Sequence, residues 1–411
     1  MRKNLLMALA LLLLLCSPLK ASLRNPPPAP GRVQLESLFK FMYTYRERDE
    51  STGVEGVSEA ALRWAGLSVE GLVSDDISFR LELAGGSGIY SDPIYQNATP
   101  VLSSGPFELG QIGVRRAEVL MRFKSPHTDA QPAARVRLGT FMPGWAFYQD
   151  RSAAEWDFID LPLMYRHESL HALGWQNAGI AVDLYPFSWF QETPSEMEVV
   201  ITVFAINGYF PRSFANEQPA LVQGERESNL GAGGRLALRS PRWLVYGGFY
   251  EEGFREDLYG EKDPESYRAR AWIAGARYSD GRYWLLAEWS ALSREDYQLK
   301  IDGDRADKES MSSHVGAGFR VTERLELTAR WDWLDPNTLD QSGTMEPSKN
   351  DQTTAWTCGV NWHLTSSVEL MLNYVLLVEQ GKRVDVDAGR TDGPYRDRDN
   401  NYLRAQLQVR L

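Results

Sequence analysis

The sequence predicts an all-β fold: a transmembrane antiparallel β-barrel of about 16 strands with an inward-folded constriction loop. Sixteen stretches of the chain alternate between apolar and polar residues, and the gaps between them alternate between short and long. A period of two turns one set of side chains toward lipid and the other toward a wet lumen. Short turns on one side of the membrane and long loops on the other are typical of single-chain outer-membrane barrels.

The closing segment shows the alternation most clearly. Its apolar members are Leu403, Ala405, Leu407, Val409 and Leu411, and its polar members are Arg404, Gln406, Gln408 and Arg410. The same pattern predicts strands at 32–46, 59–73, 76–84, 114–124, 134–140, 177–186, 196–206, 229–239, 242–251, 267–279, 282–294, 311–321, 324–334, 353–364, 367–379 and 400–411.

Turn residues support this division. Tight hairpins are predicted at Ser240-Pro241, Asp280-Gly281, Thr322-Glu323 and Thr365-Ser366, and Asp-Gly is a strong two-residue turn signal. Long polar gaps are predicted after odd-numbered strands, for example at 207–228, 295–310, 335–352 and 380–399. A soluble β-sandwich also alternates with a period of two, but it has no reason to sort its turns by length.

Aromatic residues fit the same arrangement. Trp333 and Trp356 flank a long gap, whereas Tyr278 and Tyr283 flank a short turn. On a barrel these pairs fall at opposite membrane interfaces, where amphipathic rings are enriched.

The ends of the chain and its bulk properties limit the choice of class. Residues 1–21 are predicted to be a signal peptide, 22–31 a proline-rich lead-in and 32–411 the barrel. Removing Arg2, Lys3 and Lys20 with the signal peptide moves the net charge from -11 to -14, which argues against nucleic acid as a partner. Cys358 is then the only cysteine, so an internal disulfide is excluded, and an inert packed thiol is expected.

Residues 141–176 form the longest gap that is rich in apolar side chains. They include Trp145, Phe147, Trp156, Phe158, Ile159, Leu161, Leu163 and Met164. Such a segment is expected to bury itself, and folding into a sixteen-stranded lumen would bury it and narrow the pore. The alternative is a surface loop packed on its neighbours.

Several runs resemble a known family. RRAEVLMRFK, ARVRLGTFMPGW and NAGIAVDLYP, with the RLGTF-x-P core at 137–143, resemble the phosphate-selective porin O and P family, best over residues 114–186. The resemblance implies an outer-membrane pore in a Gram-negative-type bacterium, a homotrimer, an inward loop and basic residues that guide small anions. Outer-membrane lipid and small solutes are then the expected partners, and no cofactor is expected.

Arginines on the predicted lumen faces and on the long gap are the candidate anion path, because a guanidinium stays charged and offers several donors. The candidates are Arg137, Arg151, Arg166, Arg80, Arg122, Arg235 and Arg330. Acids share these faces, namely Glu82, Glu118, Glu288, Glu326 and Asp332. A general or carbohydrate-type pore without an anion site therefore remains an alternative.

Histidines raise an enzymatic alternative. His167 and His171 stand in His-Glu-Ser-Leu-His, which matches the H-E-x-x-H zinc-protease pattern. That chemistry needs both histidines on one helix face and a third ligand, and the surrounding pattern is of β type. A secreted or barrel-type hydrolase is thus an alternative of another class, but no catalytic or metal-ligating residues are nominated.

Overall fold

In the computed structural model the chain closes into one antiparallel barrel of sixteen strands. The structure describes residues 31, 33–46, 58–85, 112–127, 132–144, 146–148, 151, 155–166, 177–190, 196–207, 230–256, 265–299, 305–335, 338, 352–380 and 401–411. The strands are β1 Val33–Arg46, β2 Ser58–Ser74, β3 Ile77–Gly85, β4 Ile112–Lys124, β5 Pro132–Phe141, β6 Asn177–Leu184, β7 Glu198–Asn207, β8 Leu230–Arg239, β9 Trp243–Glu256, β10 Glu265–Ser279, β11 Tyr283–Leu299, β12 Arg305–Arg320, β13 Leu325–Asp335, β14 Gln352–His363, β15 Val368–Gln380 and β16 Tyr402–Arg410.

Every strand pairs with its sequence neighbours, and β1 pairs with β16 to close the ring. The closing register runs from Leu38 opposite Arg410 to Arg46 opposite Tyr402. Closure pairs the backbone groups of both terminal strands, which is what lipid requires because it offers no hydrogen-bond partner. All sixteen predicted strands are confirmed.

The two faces of the sheet differ as the alternation predicts. On β13, Arg330 is 3% exposed, whereas Leu327 on the opposite face of the strand is 45% exposed. On β14, Asn361 is buried and Trp356 is 54% exposed. The buried polar face lies inside the closed barrel, and the exposed apolar face lies outside. Cys358 belongs to this outer face and is exposed in the isolated chain. The expectation of a thiol packed in a core is therefore wrong.

Side-chain oxygens cap the tight hairpins. Asp280 Oδ1 accepts the backbone N–H groups of Arg282 and Tyr283, both at 2.9 Å, and these hydrogen bonds lower the pKa of Asp280. Ser240, Thr322 and Thr365 open the other three predicted hairpins, and each hydroxyl accepts N–H groups two and three residues later. Such Asx- and ST-type turns explain why these residues begin the turns.

Aromatic rings gather near both ends of the strands. The ring centroids of Tyr278 and Tyr283 lie 6.3 Å apart beside the Asp280 turn, and those of Trp243 and Tyr278 lie 4.5 Å apart. Near the opposite end, Trp356 faces Trp331 across the β13–β14 register at 6.4 Å, and Trp333 pairs with Thr354 instead.

The predicted long gap at 295–310 is wrong. β11 and β12 continue to pair as far as Leu299 opposite Arg305, with one irregularity between Arg294 and Gln298. Apolar alternation fades in this stretch because both faces carry polar residues, whereas the backbone ladder does not depend on side-chain polarity. Only residues 300–304 separate the two strands.

Residues 1–30 lie outside the described part of the chain, so the signal peptide and the proline-rich lead-in remain predictions. Gly31 is the first described residue, and its N–H donates to Leu72 O at 2.9 Å. No helix in the described ranges is long and apolar enough to cross a membrane.

Candidate pore-lining site

The stretch after β5, residues 142–166, is called here the β5–β6 segment. Its described apolar side chains are largely buried, as the sequence predicts: Phe147, Trp156, Phe158, Ile159, Leu163 and Met164 are each 7% exposed or less. A four-residue helix, α1 (Leu163–Arg166), ends it. The predicted Trp145, His167 and His171 lie outside the described residues.

Two of the predicted arginines hold the start of this segment. Arg137 on β5 donates to the carbonyls of Met142 and Pro143, both at 3.2 Å, and lies 3.5 Å from Asp183. Arg235 on β8 donates to the carbonyl of Gly144. A guanidinium suits this task because its several donors can bind successive carbonyls.

Close backbone approach at the end of β5 requires glycine. Gly139 has φ +119°, and a Cβ there would lie 2.2 Å from the carbonyl oxygen of Ala117 on β4. Gly139 also stands opposite Gly179 on β6. A Cβ at Gly179 would lie 2.2 Å from the carbonyl oxygen of Ala205 on β7, so both positions need a residue without a side chain.

Glu288 on β11 binds the segment at two points. Its carboxylate accepts the N–H of Phe147 and the O–H of Tyr165, both at 2.8 Å. It also accepts the O–H of Tyr246 on β9, and His314 Nε2 on β12 lies 3.3 Å away. All of these groups are buried inside the barrel.

The second half of the segment is bound by β13 and β16. Arg330 donates to the carbonyls of Asp160 at 2.7 Å and Leu161 at 3.4 Å, while its Nε lies 2.7 Å from Asp332. Arg404 pairs with the Asp160 carboxylate at 2.5 Å. Buried ion pairs need such additional hydrogen bonds to offset desolvation, and Arg330 supplies them.

Side-chain amides bind the same stretch. Asn361 on β14 donates to the carbonyl of Asp157 at 2.9 Å, and Asn373 on β15 accepts the N–H of Ile159 at 2.7 Å. Together with Arg330, these amides satisfy backbone groups of a segment that has little secondary structure of its own.

Trp156 carries the segment to β1 and β2. Its ring lies edge-on to Trp64 at 6.3 Å, and Lys40 Nζ lies 4.6 Å from the ring centroid. The described contacts of the segment therefore reach β1 and β2, β8, and several strands from β11 to β16.

The remaining predicted arginines lie in different settings. Arg151 lies over the ring of Phe147 at 4.1 Å and is partly buried. Arg80 pairs with Glu70 at 2.9 Å and is partly exposed. Arg122 is exposed and stands opposite Arg135 across the β4–β5 register. The side chain of Arg166 lies outside what the structure describes.

Sequence reasoning missed two arginines beside these. The β3–β4 register shifts between Glu82 and Leu83, so that Arg116 stands opposite Glu82 and Arg115 is the extra residue of a β-bulge. Both are buried, with Arg115 2.6 Å and Arg116 3.5 Å from the Glu82 carboxylate. The Arg-Arg dipeptide within an alternating strand is the signal that could have found them, because strict alternation sends one of the two into lipid.

Charge on the inner face is mixed, as predicted. Glu82, Glu118, Glu288, Glu326 and Asp332 are all buried there. Inner-face arginines outnumber the acids on the neighbouring strands β3 to β5, where Arg80, Arg115, Arg116, Arg122, Arg135 and Arg137 accompany Glu82 and Glu118. Among the described residues, no three His, Cys, Asp or Glu side chains form a group that could hold a metal ion.

Comparison with known proteins supports the family resemblance over the C-terminal part of the chain. Residues 264–411 match the model of the family described as phosphate-selective porin O and P. The resemblance to this family is confirmed. The matched range covers β10 to β16, whereas the motifs that suggested this porin family lie earlier, within 114–186. No protein with a curated description matches the chain.

Solved structures share the porin barrel fold at low sequence identity. The outer membrane channel DcaP of Acinetobacter baumannii is 13% identical, with a TM-score of 0.59 over 94% of this chain and 100% of that one. The trimer form of OmpT, an outer membrane protein of Vibrio cholerae, is 10% identical, with a TM-score of 0.54 over 93% and 100%. An anion-selective porin from Comamonas acidovorans is 15% identical, with a TM-score of 0.54 over 92% and 98%.

The family match and the sixteen-stranded barrel agree with the predicted location. The chain is a porin-type barrel of the outer membrane, and it is a channel protein. This likeness is to channels, and it offers no support to the hydrolase alternative.

Proposed function

We propose that this porin forms a water-filled channel for small hydrophilic solutes, that the β5–β6 segment narrows it, and that it modestly prefers anions. The carrying observation is the ring of contacts between the segment and buried inner-face side chains on β8 to β16, with Trp156 reaching β1 and β2. A segment bound on several sides of a barrel wall reduces the free cross-section of the lumen.

The anion preference rests on where the positive charge lies. Net charge over the whole sequence is -11, but permeation responds to charges within a Debye length of the path, ~8 Å at physiological salt. Arginines outnumber acids on the inner faces of β3 to β5, next to the start of the segment. Three of the candidate arginines have no described hydrogen bond to a backbone carbonyl on the far side of the lumen. They are Arg80, Arg122 and Arg151.

Arg137, Arg235 and Arg330 take a second role in this proposal. Each donates to carbonyls of the β5–β6 segment, so each shapes the constriction as well as contributing charge. Replacing them changes two properties at once. Arg122 and Arg151 are therefore the better probes of charge alone.

The test is the reversal potential of wild-type channels in a salt gradient. We expect the wild-type reversal potential to lie closer to the equilibrium potential of chloride than to that of potassium. In Arg122→Ala/Arg151→Ala it should move toward the equilibrium potential of potassium. The control Arg242→Ala/Arg282→Ala removes two exposed arginines from short turns and should shift it less. A wild-type channel that prefers potassium would contradict the anion proposal and favour the general or carbohydrate-type pore, which the many buried acids also suit.

A homotrimer is the proposed assembly. It is supported by the trimer form of the structurally similar OmpT. Chemical cross-linking in detergent should give a three-chain band, and a single-chain species under all mild conditions would contradict it.

A further inference from the structure

Glu288 accepts hydrogen bonds from two points of the β5–β6 segment that are far apart in its sequence. Its two carboxylate oxygens have different hydrogen-bond partners. Oε1 accepts the N–H of Phe147 and the O–H of Tyr246, and Oε2 accepts the O–H of Tyr165 with His314 Nε2 nearby. The side chain is only 2% exposed, so water does not compete for these bonds.

Phe147 and Tyr165 belong to opposite ends of the segment. Phe147 lies just after the turn that leaves β5, and Tyr165 lies in α1, where the described part of the segment ends. One carboxylate therefore ties the outgoing and the returning limb to each other and to the wall. The limbs also meet directly, because the N–H of Tyr148 lies 3.4 Å from Tyr165 Oη and their rings lie edge-on at 5.7 Å.

His314 on β12 also contacts both limbs, through the rings of Tyr148 and Tyr165. Arg277 on β10 likewise lies 4.8 Å from the ring of Phe147 and 3.9 Å from the Asp157 carboxylate. The described hydrogen bonds of the other wall groups, however, reach one limb each. Arg235 reaches the outgoing limb at Gly144, whereas Arg330 and Arg404 reach the returning limb at residues 160–161. Hydrogen bonds to an ionised acceptor are roughly twice as strong as neutral ones. A buried carboxylate that collects three donors is thus suited to fix the separation of the two limbs.

We propose that Glu288 is the positioning residue of the constriction: it holds both limbs of the β5–β6 segment at one place on β11 and so keeps the open pore at a single width. This inference rests on the proposed function, in which the segment narrows the channel. Tyr246 supports the carboxylate from β9, and His314 closes its other side from β12.

The test is single-channel recording of Glu288→Gln, which keeps the shape of the side chain but removes the charge that binds the donors. We expect the open-channel current to become several-fold noisier and to divide into more than one level. Glu326→Gln is the matched control, because Glu326 is also a buried inner-face acid but accepts the Nε1–H of Trp284 at 2.8 Å, a residue of the wall. A loss of charge alone affects both variants, whereas a loss of position affects only the first.

A second variant keeps the test valid if Glu288→Gln does not assemble. Tyr165→Phe deletes one donor on the segment and leaves the barrel wall unchanged, so a smaller rise in current noise is expected. Where both fold, the double variant should be little noisier than Glu288→Gln alone, since the two groups act through one bond. Quiet, single-level currents in both variants would overturn the inference about Glu288 but would not contradict the proposed channel function. A wild-type protein that does not conduct would contradict the proposed function itself.

Discussion

Glu82 is the residue whose removal should cost the most stability among the β3–β4 contacts. It is buried between Arg115 and Arg116, both of which are buried too. Removing one partner of a buried ion pair leaves an uncompensated charge, at a cost of about 3–5 kcal/mol. We expect Glu82→Ala to lower the free energy of unfolding by that amount, measured by urea titration of the barrel in detergent.

Glu70→Ala is the control for this prediction. Glu70 on β2 pairs with Arg80 on β3 at 2.9 Å, but both side chains are substantially exposed to solvent. Exposed pairs contribute roughly 0–1 kcal/mol. Equal losses in the two variants would show that the β3–β4 bulge does not enclose a desolvated pair.

Sequence reasoning at this scale identified residue types better than residue roles. It placed Arg137, Arg235 and Arg330 on the inner face, where all three are buried. That they bind carbonyls of the β5–β6 segment depends on contacts between residues far apart in sequence, for example 170 residues between Arg330 and Asp160. Arg115 was missed because a bulge breaks the period of two on which the prediction relied.

Strands are the elements that the sequence predicts best, because lipid outside and water inside impose the alternation directly. The end of β11 and the start of β12 were not predicted as strand, because polar residues on both faces give no alternation to detect. The β5–β6 segment could be recognised as buried from its apolar content. Its partners could not, because no periodic rule governs an irregular segment.

A charge on the outer face tests the orientation of the strands. Leu372 lies in the middle of β15 and is 42% exposed. We expect Leu372→Arg to lower the free energy of unfolding in lipid vesicles by about 2–4 kcal/mol, since arginine at the bilayer midplane is that costly.

Leu364→Arg supplies the comparison. Leu364 is similarly exposed but lies in the turn between β14 and β15, where the cost near the interface is about 0–1 kcal/mol. If the two arginines cost the same, the face that carries Leu372 does not contact the hydrocarbon core.

At the scale of the whole molecule, closure of β1 onto β16 leaves no unpaired edge among the described strands. Such barrels unfold slowly because every strand is held on both sides. We therefore expect the unheated protein to resist SDS at room temperature and to change its gel mobility after boiling. A protein that runs identically before and after heating, or that fractionates with soluble proteins, would contradict the closed membrane barrel.

In the proposed function, the β5–β6 segment is the element that sets the width of the pore. Its most direct test is the single-channel conductance of a variant that lacks residues 146–165, compared with one that lacks 209–228, an equally long stretch between β7 and β8. Both variants must first show the heat-dependent gel shift, so that only assembled barrels are compared. The account predicts a clear rise in conductance for the first deletion and little change for the second, whereas unchanged conductance after removal of 146–165 would place the segment outside the permeation path.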